Sequence, residues 1–223
     1  MTNSPVPANV GEVLLSTARA AIAKQLGLES SVDESAPWLT DAGACFVTLT
    51  QEGALRGCIG SLEAWRPLLE DVQANAVAAA FHDPRSPPLT RAELDQTQLE
   101  VSVLSAPEPM SFTSEADALA QLRPGIDGLI LAYGNHRGTF LPQVWEQLPE
   151  PAQFLAHLKL KAGLPVQFWS DDITLARYTV TAWHEVQIID QQAKVDQTLA
   201  ELDNLRASIF RILEKQVRAR ARN

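Results

Sequence analysis

The sequence predicts a mixed α+β (α/β mixed) domain: a mixed or antiparallel β-sheet flanked by helices, followed by a long C-terminal helix. Three observations lead there. Short β-rich runs come as hairpins with turn residues between them. Apolar residues elsewhere recur at helical spacing. The strands also fail to alternate strictly with long helices, as a doubly wound parallel sheet would require.

At 223 residues the chain fits one large domain, or a domain with an appendage. Hydrophobic residues make up 46% and charged residues 20%, enough apolar content for a full core. No apolar run approaches the roughly 18–20 residues of a membrane helix. Met1 to Asn9 has neither the basic nor the apolar region of a secretory signal. With two cysteines and no export signal, a reducing cytoplasm is the expected compartment. The net charge of −9 argues against a nucleic-acid binder held by general electrostatics. Residues 186–223 carry +2 and the rest −11, and the tip holds Arg218, Arg220 and Arg222. Cations there favour the helix dipole and read as a solvated helix end.

Val13, Leu14, Ala18, Ala21, Ile22 and Leu26 predict an amphipathic first helix stopped by Gly27. The polar stretch from Glu29 to Thr40 is a connection. Cys45 to Thr50 is rich in β-branched and aromatic residues, a strand; Gln51-Glu52-Gly53 turns, and Leu55 to Ile59 returns. Pro67 starts a helix through Ala80. His82 to Pro88 holds three prolines in five residues, a rigid loop. Leu99, Val101 and Val103 alternate with Glu100 and Ser102 on a strand. Asp127 to Tyr133 is another strand, with a five-residue loop from Gly134 to Gly138 leading into Thr139-Phe140-Leu141. Helices follow at Pro142 to Gln147 and Pro151 to Ala162, then a last strand from Thr174 to Glu185. Val195, Leu199, Leu202, Leu205, Ile209, Ile212 and Leu213 form an apolar stripe on one long helix, packed on its own domain or on a second copy. The chain thus divides into residues 1–185 and a helical extension, 186–223.

The chemistry concentrates around Cys58. Gly57 and Gly60 flank it, which would let a ligand approach the backbone and leave the thiol uncovered. Arg56, two residues earlier, shares its face if the strand continues, and a guanidinium favours the reactive thiolate. Cys58 is therefore a candidate nucleophile, with His82 or His136 as a base supplied by the fold; against this, a free cysteine is most often a small buried hydrophobe. A hairpin centred between Gln51 and Glu52 would set Cys45 opposite Cys58, a redox pair, although Cys45 also reads as core. Asp83 and Arg85 form a second polar group, readable as a loop held by side chain to backbone bonds. Glu100 on an apolar strand needs a partner, because a buried carboxylate is costly alone. Arg56 or Arg85 would serve. The four histidines are scattered, with no His-x-x-His or Cys-x-x-Cys spacing, and there is no phosphate loop or dinucleotide fingerprint. No metal and no cofactor are expected.

The string Leu55-Arg56-Gly57-Cys58-Ile59-Gly60-Ser61-Leu62 resembles the signature of the AMMECR family, whose members include protein A of the AmmeMemoRadiSam system. Asp83-Pro84-Arg85 with Pro87-Pro88-Leu89 is similar to a second family segment, and Leu99 to Ser105 to a third. Gly125 to Leu131, Thr139 to Trp145 and Lys161 to Pro165 follow in order, so the resemblance spans residues 12–185. Two positions depart from it: Ser86 stands for the usual Phe, and Lys159 stands where members often carry a second Cys. The resemblance implies two subdomains with a cleft lined by the hexapeptide Leu55 to Gly60, and partnership with a Memo-like protein and a radical SAM protein. It brings no settled reaction. Taken with the residues, it suggests an enzyme or enzyme component holding a small polar or anionic substrate. Arg56, Gly57, Gly60, Asp83 and Arg85 would form the binding surface, with Cys58 and Glu100 as the catalytic candidates. The rival is a non-catalytic interaction module that forms a homodimer through its C-terminal helix. Neither reading involves nucleic acid or membrane.

Overall fold

The structure, a computed structural model, describes residues 9–185, 195, 197–202 and 206. Helix α1 (Val10–Gln25) opens it, burying Leu14, Leu15, Ala18 and Ile22 along one stripe. Gly27 follows with φ +72, the left-handed conformation that ends a helix at little cost to glycine. A short 3-10 turn at Pro37–Thr40 precedes β1 (Ala42–Gly43), β2 (Cys45–Gln51) and β3 (Ala54–Gly60). The β2–β3 turn is Glu52-Gly53, with φ of 50 and 80. Strand β4 (Arg66–Pro67) leads into α2 (Leu68–Phe81), whose first turn carries Glu70 and Asp71 at the positive end of the helix dipole.

After α3 (Arg91–Leu94) comes β5 (Thr97–Leu104). Together β10 (Val180–His184), β5, β2 and β3 form an antiparallel four-stranded sheet in that order. Its inner face packs on α1 and α2, burying Val47, Leu49, Leu99 and Val101 with Val72, Ala76 and Ala79. The second half is built from β6 (Glu108–Pro109), α4 (Glu115–Gln121), β7 (Gly128–Tyr133), β8 (His136–Phe140), α5 (Pro151–Lys161) and β9 (Thr174–Tyr178). Its sheet runs β6-β9-β7-β8, again antiparallel. Leu129, Leu131, Leu155, Leu158 and Leu175 fill its core, where Trp145 stacks on Phe154 at 3.8 Å and donates its indole N–H to the Asp127 carbonyl.

The expected mixed α+β fold is thus present, as two four-stranded antiparallel sheets with separate cores plus the small β1–β4 pair. Three local expectations change. The loop from Gly134 to Gly138 shrinks to Gly134-Asn135, because Tyr133 already pairs with His136. The single strand from Thr174 to Glu185 is two strands in different sheets. Thr179 marks the crossing, its backbone bonded both ways to Ser105. Helices α3 and α4, not anticipated, announce themselves by caps: a Thr90–Glu93 capping box and Ser114 accepting from Asp117 N–H. Of the long tail helix, residues 195, 197–202 and 206 are helical, and the remainder lies outside the described residues.

Strand β3 rests directly on α2. A Cβ added at Gly57 would lie 2.2 Å from the Ala79 carbonyl oxygen, a backbone atom with nowhere to go. Gly57→Ala should therefore cost about 2 kcal/mol or more of stability by overpacking. A urea midpoint within error of wild type would contradict this packing.

Candidate functional site

Strand β3 is an edge strand, and Cys58 is where its edge is closed. The Cys58 N–H donates to Asp83 Oδ2 at 2.8 Å, and Arg85 Nη2 donates to the Cys58 carbonyl at 2.9 Å. A loop thus does at one residue what a fifth strand would have done. Asp83 also accepts from the Arg85 backbone N–H at 3.0 Å and from its guanidinium at 2.9 and 2.6 Å. The guanidinium bonds first, then the N–H bonds of Cys58 and Arg85, hold the Asp83 carboxyl well below the usual carboxylate range. The same contact holds the Arg85 guanidinium above its ordinary value. Asp83 and Arg85 therefore grip the backbone of Cys58, while much of the Arg85 side chain stays in solvent.

The outer face of the sheet carries a row of polar side chains, one per strand. By register His184 pairs with Glu100, Glu100 with Thr48, and Thr48 with Cys58. Successive side chains alternate faces, so this row stands opposite the buried Val47, Leu49 and Val101. Its members touch in pairs. His184 Nδ1 lies 3.1 Å from Glu100 Oε2, Ser102 Oγ donates to Glu100 Oε1 at 2.8 Å, and Thr48 Oγ1 lies 3.4 Å from Cys58 Sγ. All four side chains are half-buried.

Several sequence expectations are corrected here. Cys45 does not face Cys58, because Thr48 takes that register position and Cys45 points into the core. Burial, reinforced by the Asp71 carboxylate, pushes the Cys45 thiol far above its ordinary range, so the two cysteines form no pair. Arg56 does not share the Cys58 face. It is the extra residue of a β-bulge between the Leu49–Gly57 and Thr50–Leu55 pairs, donating to the Pro87 carbonyl at 2.7 Å and lying 3.8 Å from Glu93. Its Nη1 is buried without a partner among the described residues. Glu100 pairs with His184 rather than with Arg56 or Arg85. Both glycines are required by packing: Gly57 admits α2, and a Cβ at Gly60 would strike the Phe46 ring at 2.3 Å. Neither expected base meets the thiol. His82 lines the groove between α1 and α2, and His136 bonds the Ala162 carbonyl at 3.0 Å. Lys159, at the variant position, is buried, and its ammonium donates to the half-exposed Glu115 at 2.5 Å.

Thr48 and His184 were not singled out by sequence reasoning. Alternation along Cys45 to Thr50 puts Thr48 off the core face, but its neighbours depend on register between three strands.

Cavities among the described residues lie between the halves. One, about 430 Å³, sets Val180 and Ala182 of β10 against Pro142 and Trp145; another, about 290 Å³, sets Leu62 and Glu63 against β7, β8 and α5. Arg137 reaches across to Glu63 at 2.8 Å. Among the described residues no group of three or more His, Cys, Asp or Glu is placed to hold a metal ion. No described helix is long and apolar enough to cross a membrane.

A depressed carboxyl value links Asp83 to acid stability. Its contribution is fully present above the unfolded-state value of about 3.9 and is lost as pH falls through the lower folded-state value. Wild type should lose urea resistance more steeply than Asp83→Asn between about pH 5 and about pH 3. Parallel slopes would remove Asp83 as the source.

Comparison with known proteins agrees with this architecture. A protein of Methanothermobacter thermautotrophicus is 37% identical over 190 residues, covering 83% of this chain and 99% of that one. A protein of Methanocaldococcus jannaschii is 39% identical over 175 residues, 76% of this chain and 87% of that one. The crystal structure of an uncharacterized protein from Pyrococcus horikoshii superposes with a TM-score of 0.64 at 34% identity, covering 78% of this chain and 91% of that one. The AMMECR1 family model matches residues 15–183, and the chain belongs to the AMMECR1 family.

Proposed function

We propose that this protein is an enzyme or enzyme component whose working surface is the outer face of the first sheet. That face, between the two halves, would hold a small polar or anionic molecule, with Cys58 as nucleophile or closest contact. The row of His184, Glu100, Thr48 and Cys58 carries the reading, because four polar side chains stand side by side on a face turned away from the core. Thr48 Oγ1 is positioned to steady the sulfur at 3.4 Å. Glu100 orients His184 at 3.1 Å. The imidazole stands three strand spacings of about 4.8 Å from Cys58, so any proton passing between them travels through the bound molecule or water. Arg85, rather than Arg56, supplies the cation beside Cys58, and Asp83, Gly57 and Gly60 support that strand instead of touching substrate. Memo-like and radical SAM proteins are the proposed partners, in the cytoplasm.

Cys58→Ser should fail to complement a strain deleted for this protein while leaving the urea midpoint and capture of the Memo-like partner unchanged. Loss of capture would instead favour docking. In the native chain iodoacetamide should label Cys58 and spare buried Cys45, and Thr48→Val should alter the labelling rate. A Cys58 no faster than glutathione near neutral pH would end the nucleophile assignment.

A second reading, an interaction module dimerising through the tail helix, draws on one observation. Val195, Leu199 and Leu202, spaced by four and three residues, are 52%, 55% and 56% exposed. Removing residues 190–223 should halve the mass in solution if the helix joins two copies. A full-length monomer would dismiss this reading.

A further inference from the structure

The cavity of about 290 Å³ lies where the loop leaving β3 meets β7, β8 and the end of α5. It is lined by Leu62, Glu63, Ile130, Arg137, Thr139 and Lys161, so both halves build it. Ile130 and Thr139 are register partners, and Arg137 stands two residues before Thr139. All three therefore share the face opposite Leu129 and Leu131 of the second core. Two of the seven lining residues, which include Gly138, are cations, in a chain whose first 185 residues carry −11. The Lys161 ammonium sits 5.1 Å from the centre of the Phe140 ring and, among the described residues, has no carboxylate partner. The Arg137 guanidinium meets Glu63 at 2.8 Å with both side chains more than half exposed, the kind of pair that water and salt weaken.

We propose that this cavity binds a small organic anion. Its oxyanion head, a carboxylate or phosphate, sits between Lys161 and Arg137 and takes the guanidinium from Glu63. Its short apolar body lies against Leu62 and Ile130. A guanidinium offers paired N–H donors to such a head, and the ammonium adds a point charge from the other side. The volume is at the low end of the roughly 300–1,000 Å³ of small-molecule sites, which suits a compact anion. Cys58 does not line the cavity, so the site stands whether or not that thiol reacts.

Calorimetric titration of the full chain at low salt, with phenyl phosphate, benzoate and inorganic phosphate, tests this. At least one aromatic anion should bind with a Kd of about 1 mM or tighter, several-fold below that of inorganic phosphate. The tighter of phenyl phosphate and benzoate identifies the head group. Lys161→Met should weaken binding about tenfold, and Glu63→Gln, which frees Arg137, should tighten it about threefold. Lys24→Met, on α1 and remote from the cavity, should change nothing. Lys161 and Glu63 are exposed, so their variants should keep the wild-type melting temperature. The proposal is overturned by any of four results: no heat from wild type up to about 10 mM ligand, unchanged affinity in Lys161→Met, weaker binding in Glu63→Gln, or equal losses in Lys161→Met and Lys24→Met.

Discussion

A strand at the edge of a sheet has to satisfy or expose its outward backbone groups, and here that requirement falls on Cys58. The groups turned away from β2 are taken by Asp83 and Arg85, from a loop stiffened by Pro84, Pro87 and Pro88. Much else follows from this closure. Asp83 is ionised because three kinds of N–H converge on it, and Arg85 is held in place by the carboxylate it neutralises. The backbone around the thiol is thereby pinned on one side by the loop, on another by β2 and from below by α2.

Below that edge, burial sorts the two cysteines into different chemistry. Cys45 sits over a fully partnered carboxylate: Asp71 accepts from the Cys45 N–H, the Asn75 amide, the Ser61 hydroxyl and Arg66. That buried network joins the start of β2 to the residue following the hexapeptide, so both ends of the hairpin are tied to α2. Its thiol, in a low-dielectric setting beside negative charge, has little tendency to ionise. Cys58, three strand positions away in register and on the other face, touches a hydroxyl and stays half-buried.

The two halves are joined by chain crossings and by a side-chain link. The chain passes from β5 to β6 and back from β9 to β10; the Ser105 N–H donating to the Thr179 carbonyl and the Thr179 N–H donating to the Ser105 hydroxyl hold the two passages together. Away from them, the exposed Arg137–Glu63 pair bridges the gap. A division of this kind leaves cavities between separate cores, and small-molecule sites favour such boundaries.

Residue order alone determined the helices with clear apolar stripes, the first hairpin, a sheet that is mixed or antiparallel rather than doubly wound, and the family signature from Leu55 to Leu62. These depend on local periodicity and on glycine or proline at fixed places. It also marked Cys58, Asp83, Arg85 and Glu100 as worth following. What each of them touches was decided by tertiary structure. The bulge that turns Arg56 inward adds one residue to a ladder, and no local pattern distinguishes it from a continuing strand. The partnership of Glu100 with His184 joins residues 84 positions apart, through a strand that leaves one sheet for another at Thr179. Gly57 and Gly60 suggested open space, whereas the Ala79 carbonyl occupies the place of a Gly57 side chain and the Phe46 ring that of a Gly60 side chain. Residue type and spacing state which contacts a chain can make, but register and sheet membership are long-range quantities, and they selected the contacts around Cys58.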